Sequence, residues 1–366
     1  MERTMRKILL EKLERERVLS RPEFITLLLG YDEALAERLF ERARHVREKY
    51  YGKDVFIRGL IEFTNYCKND CYYCGIRASN GRIGRYRLKP EEILGCCEKG
   101  YALGYRTFVL QGGEDVGYSP EKIASLVEAI KRNHPDCAVT LSVGEHSREV
   151  YQRWFDAGAD RYLLRHETAD EEHYRSLHPL SCLPENRKRC LYDLKQIGYQ
   201  VGCGFMVGSP GQKAEHLAED LLFLHKLQPE MVGIGPFIPQ RDTPFGDQPA
   251  GSLEMTLFLL GIIRVMLPDV LLPATTALGT IHPQGLERGM LAGANVCMPN
   301  LTPERVRGQY ALYEGKAEAD GKATENGKPA GVGKALKILE RRMDAVGYRV
   351  VVSRGDCRRG LAADEI

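Results

Sequence analysis

The chain has 366 residues and a net charge of +2 from 52 basic and 50 acidic side chains, a balance that gives no argument for a nucleic-acid or membrane-surface partner. Hydrophobic residues make up 43% and charged residues 28%, as in ordinary soluble globular proteins, and no apolar run reaches the roughly 18 residues that a membrane span needs. The eleven cysteines are no disulfide scaffold in a chain this long, and the N-terminus, Met1-Glu2-Arg3-Thr4-Met5-Arg6-Lys7, lacks the apolar core of a signal sequence, so free thiols in a reducing cytoplasm are expected.

Residues 1–52 read as a helical extension, with Leu9, Leu10 and Leu13 and then Phe24, Leu27, Leu28 and Leu29 at helical spacing. From residue 53 the pattern becomes strand, loop, helix, repeated. Strands are predicted at 55–63, 106–111, 138–143, 160–166, 201–206, 230–235, 270–274 and 294–298. Pro90 and Pro120 sit at helix starts, where proline is tolerated. Gly158, Gly198 and Gly293 stand where a helix hands over to the next strand. Alternating strands and helices predict an α/β fold, a complete (β/α)8 barrel over 53–313, with its chemistry at the C-terminal ends of the strands. Residues 314–366 are expected to hold a surface loop (315–332), a closing helix (about 333–346) and a tail.

The loop after the first strand, Cys67-Lys68-Asn69-Asp70-Cys71-Tyr72-Tyr73-Cys74, spaces three cysteines as C-x3-C-x2-C. Three thiolates on one loop can hold three corners of a 4Fe–4S cluster, which takes four ligands. With no fourth cysteine nearby in the sequence, one iron is left for a small molecule, the arrangement that S-adenosylmethionine (SAM) radical chemistry uses. A structural zinc site would need a second Cys/His knuckle, and none follows. The other cysteines, Cys182 among them, read as ordinary buried thiols, and Arg77, Arg82, Arg85 and Arg87 as a solvated basic loop or a cover over the cluster.

Further candidates fall at other strand ends. Gly112-Gly113-Glu114 puts two residues without side chains beside a carboxylate, so that backbone can approach a ligand whose ammonium the carboxylate binds. Arg165-His166-Glu167 ends an apolar strand, where charge needs a partner or a ligand: a structural Arg–Glu pair is one reading, SAM binding by Glu167 with Arg165 facing the cavity the other. Arg187 offers a forked donor for a carboxylate. Met206 lies in the glycine-punctuated run Gly204–Gly211, whose apolar part can face adenine.

These motifs, with Gly233-Ile234-Gly235-Pro236-Phe237-Ile238-Pro239, Pro273-Ala274-Thr275-Thr276-Ala277 and Met298-Pro299-Asn300, resemble the HydE family of FeFe-hydrogenase maturases across about residues 20–313. Biotin synthase and methylornithine synthase share the architecture. The resemblance implies a radical-SAM barrel in which Cys67, Cys71 and Cys74 hold one 4Fe–4S cluster. It implies that Tyr73, Gly112, Gly113, Glu114, Ser142, Glu167, Arg187 and Met206 surround SAM. Arg161, Arg165, Thr275, Thr276, Met298 and Tyr310 would line the internal cavity where an organometallic iron complex bearing CO, cyanide and cysteine is processed. It further implies a reductant such as ferredoxin or flavodoxin, and other hydrogenase maturases, as partners. A second cysteine group, C-x7-C-x2-C, that many members carry after the segment matching Tyr310–Lys316 is missing from this sequence, so a second cluster is not expected. A methylornithine synthase-like enzyme acting on an amino acid, and a non-enzymatic iron–sulfur carrier, are the competing readings; the Gly-Gly-Glu and Arg-His-Glu segments speak against the carrier, which needs no SAM pocket.

Overall fold

The computed structural model of the chain describes residues 2–316, 324–325, 328–329 and 331–359; most of the loop expected at 315–332 lies outside them. Three helices, α1 (Glu2–Glu16), α2 (Arg21–Leu29) and α3 (Glu33–Tyr51), precede the barrel. Then follow β1 (Asp54–Ile57), β2 (Gly59–Thr64), α4 (Pro90–Ala102), β3 (Thr107–Gly112), α5 (Pro120–Asn133), β4 (Ala138–Ser142), α6 (Arg148–Asp156), β5 (Arg161–Leu163), α7 (Glu171–Leu177), α8 (Pro184–Ile197), β6 (Gln200–Cys203), β7 (Met206–Val207), α9 (Ala214–Leu227), β8 (Met231–Val232), β9 (Gly235–Pro236), α10 (Leu253–Met266), α11 (Thr276–Ile281), α12 (Gly285–Leu291), β10 (Val296–Cys297) and α13 (Glu304–Arg307). The hairpin β11 (Thr324–Glu325) and β12 (Lys328–Pro329), α14 (Val332–Asp344) and β13 (Arg349–Val351) complete the order.

A parallel sheet runs β2-β3-β4-β5-β6-β8. It continues through single bridges from Met231 to Leu271 and from Pro273 to Val296. Beyond them β10 pairs with β1, and Leu60 N–H donates to Pro299 O at 2.9 Å, so the ring closes as the predicted barrel. The seventh strand makes only bridges, because Pro273 has no N–H to donate to a ladder. The first predicted strand is divided at Arg58: residues before it pair with β10 and β13, residues after it with β3.

Helix α10 is buried on nearly every side, as its apolar sequence requires. It lies under α3, while α2 packs on α9; the N-terminal extension thus covers one flank of the barrel. Among the described residues no helix is long and apolar enough to cross a membrane.

The tail forms more structure than its sequence announced. Strand β13 pairs in parallel with β1, and residues 354–358 run beneath the start of the barrel. Arg161, expected in the substrate cavity, is the first residue of β5 and belongs to this lower end. Its guanidinium is fully buried and donates to Thr107 Oγ1 (3.1 Å), Arg354 O (2.8 Å) and Asp356 Oδ1 (2.6 Å). Met298 also sits below the mouth, against the apolar cluster of Tyr51, Phe56, Met231, Leu271 and Val296. With Thr276 it lines a side cavity of about 450 Å³ between β10, α11, α12 and α14.

Candidate active site

The cysteine loop crosses the C-terminal mouth of the barrel and is clamped by its own neighbours. Arg77 grips Asp70 with two bonds of 2.7 and 2.6 Å, and Asp70 also accepts from Ser79 N–H at 3.0 Å. Arg85 donates to the carbonyls of Asn65, Ile76, Arg77 and Asn80. Arg87 pairs with Asp115 at 2.7 Å and lies 3.8 Å over the Tyr66 ring. The basic run, expected to be solvated, is therefore mostly a set of staples; Arg82 alone of the four is well exposed, at 80%. Gly113 is required beside the loop, since a Cβ there would sit 2.2 Å from Tyr66 O and 2.7 Å from Cys67 Cβ.

The Arg77 guanidinium holds the Asp70 carboxyl well below the usual carboxylate range. A depressed carboxylate stabilises above its unfolded pKa of about 3.9, so the clamp is in place from neutral pH down past that value and weakens only in stronger acid. Asp70→Asn is expected to speed loss of iron to a chelator at pH 7 several-fold, with little change in thermal midpoint. Unchanged chelation kinetics would show that the clamp does not hold the loop.

All three cysteines are free and partly exposed. Burial pushes the Cys67 thiol up and the Cys74 thiol up to about 12. Tyr73 turns inward and donates to His178 Nε2 at 3.0 Å, while His178 Nδ1 donates to Tyr174 O at 2.9 Å. Burial lowers the His178 pKa to about 3, which keeps that ring neutral and Nε2 an acceptor. Tyr73 joins Leu177, Met206, Phe237 and Phe245 in an apolar wall beside the thiols.

Opposite the wall stand the charged groups. Glu114 accepts from Glu145 N–H at 3.0 Å and lies 3.1 Å from Lys68 Nζ. Gly144, at φ +86°, makes room for it: a Cβ there would fall 2.0 Å from Glu114 Cγ. Arg187 is buried and lies 2.6 Å from Glu145 Oε1. Arg165 and Glu167 form an ion pair at 3.2 Å, Glu167 holding φ +66°. Between them His166 turns away into the protein, its Nε2 on Asp220 at 3.2 Å and its Nδ1 accepting from Gly204 N–H at 3.3 Å. The pair that a structural reading of Arg-His-Glu expected is thus present, and yet Arg165 Nε, Glu167 Oε2 and Thr275 Oγ1 are buried without a hydrogen-bond partner among the described residues. Ser142 ends β4 beside Gln111, and Gln111 Nε2 donates to the buried Tyr310 hydroxyl at 3.5 Å.

The mouth therefore gathers Cys67, Cys71, Cys74, Tyr73, Gly112, Gly113, Glu114, Ser142, Arg165, Glu167, Arg187, Met206, Thr275 and Tyr310, and leaves Arg161 and Met298 below. It adds residues the sequence reading passed over. Glu145 fixes Arg187. Glu62, fully buried, binds Lys316 Nζ and Asn300 Nδ2; an acid inside Leu60-Ile61-Glu62-Phe63 was a visible signal of a buried polar contact. Cys182, more than a hundred residues from the cysteine loop, packs its thiol on Cys71; no sequence signal marked it.

The residues fit the groups they were expected to hold. Free thiols in a clamped loop are the donor set of an iron–sulfur cluster, and a buried carboxylate, a buried guanidinium and orphaned polar atoms beside an apolar wall suit a charged adenosyl ligand. A barrel with this mouth is that of a radical SAM enzyme, and residues 61–224 match the radical SAM superfamily profile. Over 308 residues the chain is 48% identical to the [FeFe] hydrogenase maturase subunit HydE of Thermotoga maritima, covering 84% of this chain and 87% of that one. The chain belongs to the HydE family. It is also 30% identical over 326 residues to 3-methylornithine synthase of Methanosarcina barkeri, with 88% of each covered. Among solved structures, methylornithine synthase (PylB) superposes with a TM-score of 0.80 at 29% identity, covering 94% of this chain and 97% of that one. The maturase HydG superposes at 0.78 and 20% identity, covering 99% and 79%, a likeness of fold.

Proposed function

We infer that this radical SAM enzyme acts in FeFe-hydrogenase maturation on an iron complex bearing CO, cyanide and cysteine, with a single 4Fe–4S cluster and with electrons from a ferredoxin- or flavodoxin-type protein. The observation that carries the reading is the juxtaposition of three free thiols with Glu114 and Arg187 at one barrel mouth, in a chain 48% identical to HydE. Cys67, Cys71 and Cys74 would hold the cluster. When bound, cluster and SAM supply one-electron reductive cleavage of the SAM sulfonium.

This chain's own residues do the rest. Glu114 receives the SAM ammonium in place of Lys68, and Arg187, held by Glu145, faces its carboxylate. Tyr73 and Met206 give adenine an apolar wall, and Ser142 and Glu167 offer oxygens to the remaining polar groups. Arg165, Thr275 and Tyr310 are the polar lining that would orient an anionic substrate deeper in the mouth, with Thr276 and Met298 on the adjoining side cavity.

Anaerobic reconstitution with iron and sulfide, followed by reductant and SAM, tests this. About four irons per chain and 5′-deoxyadenosine formation are expected, with turnover stimulated by the iron–cysteine complex. A full cluster without SAM cleavage would leave a carrier. Because of the likeness to methylornithine synthase, L-lysine is the control substrate, and its turnover would replace the maturation reading.

A further inference from the structure

One thiol at the mouth has no part in the scheme above. Cys182 lies in the turn between α7 and α8, only 9% exposed, where its N–H donates to Pro179 O at 2.9 Å. This turn is tied to the cysteine loop twice. Tyr72 N–H donates to Leu177 O at 3.0 Å, and the Tyr73 hydroxyl meets His178 Nε2 at 3.0 Å. Both ties flank the place where the Cys182 and Cys71 thiols hydrogen-bond to each other. Their approach is therefore built into two fixed backbones. Cys96, Cys97, Cys137, Cys190, Cys203 and Cys297 are buried elsewhere in the protein.

We propose that Cys182 is a resolving cysteine for Cys71: in the cluster-free protein the two close a reversible disulfide that preserves the ligand until a cluster is installed. The inference rests on the reading of Cys71 as a cluster ligand. With a cluster bound, Cys71 is engaged and Cys182 has no partner; without one, Cys71 is open to stepwise oxidation towards forms that thiols do not reverse. A low-molecular-weight disulfide is the oxidant. The Cys71 thiolate attacks it, its S–S bond breaks, one thiol leaves and a mixed disulfide remains on Cys71. The Cys182 thiolate then attacks the Cys71 sulfur, the Cys71–Cys182 bond forms and the second thiol leaves. Two protein thiols are oxidised, the small disulfide is reduced to two thiols, and the two protein protons pass to the departing thiolates.

The test uses the full chain stripped of iron by a chelator under anaerobic conditions, then exposed to glutathione disulfide, alkylated and mapped by peptide mass spectrometry. A Cys71–Cys182 cross-link is expected, with iron uptake blocked until dithiothreitol is added. Cys182→Ser should instead retain glutathione on Cys71. In the parent protein, a lasting glutathione adduct on Cys71, a Cys71 link to Cys67 or Cys74, or an unreacted Cys71 thiol would each overturn the proposal. Iron uptake by the fully reduced chain reports separately on the cluster reading: its failure would remove the cluster assignment while leaving the peptide map to stand on its own.

Discussion

Replacing Cys74 with alanine is expected to reduce iron content after reconstitution to a small fraction of the parent's and 5′-deoxyadenosine formation by more than about a hundredfold. The bound follows from outer partners of metal ligands, whose loss alone costs about 10–100-fold; loss of a direct ligand must exceed it. Cys74 is the better choice than Cys71, because Cys182 lies against Cys71 and offers a replacement thiol. The fold should survive: Cys74 is partly buried at the mouth, and deleting one sulfur costs on the order of 1 kcal/mol. Iron quantification and circular dichroism on the same sample separate the two effects. An alanine variant that keeps its iron and cleaves SAM would end the cluster assignment.

The second large effect is on stability and lies at the other end of the barrel. Asp356→Ala removes the carboxylate that faces a fully buried Arg161. Breaking a buried pair from one side costs about 3–5 kcal/mol. Asp356 is 38% exposed on its side chain, and Arg161 keeps its bonds to Thr107 and Arg354 O, so about 2–3 kcal/mol is expected, the range for a lost hydrogen bond to a charged group. Adding Arg161→Met to the variant should recover part of the loss by removing the stranded charge. At a temperature where all variants are folded, SAM cleavage should match the parent's. If Asp356→Ala left stability intact and impaired SAM cleavage, Arg161 would belong to the reaction after all.

The contrast between Arg161 and Arg165 shows what the sequence could and could not tell. The barrel was legible because each strand carries an apolar run and each return a glycine, a periodicity that local chemistry dictates. The mouth was legible because its residues follow strand ends, so Cys67–Cys74, Gly112-Gly113-Glu114 and Arg165–Glu167 could be placed by counting along the chain. Arg161 and Arg165 stand on one strand in one family-like run, and the decision between them depends on strand direction plus a partner, Asp356, supplied from 195 residues away. Cys182 was hidden for the same reason: its neighbour is set by the turn between α7 and α8, which no local pattern encodes. The basic run at 77–87 was misread because arginines that bond backbone carbonyls and arginines in solvent look alike in a sequence.

Strand β1 pairs with β10 on one side and β13 on the other, and Arg349 reaches Asp54 across 295 positions. Both neighbours of the first strand made are thus among the last made. At about 5–20 residues per second, β1 waits roughly ten to fifty seconds on the ribosome with its edges unpaired, an invitation to wrong pairing. A chain cut short before Arg349 would never seal that edge. The maturase can thus be completed only once synthesis is nearly finished, and its demand for chaperone protection should be greatest early in translation, before any thiol has met iron.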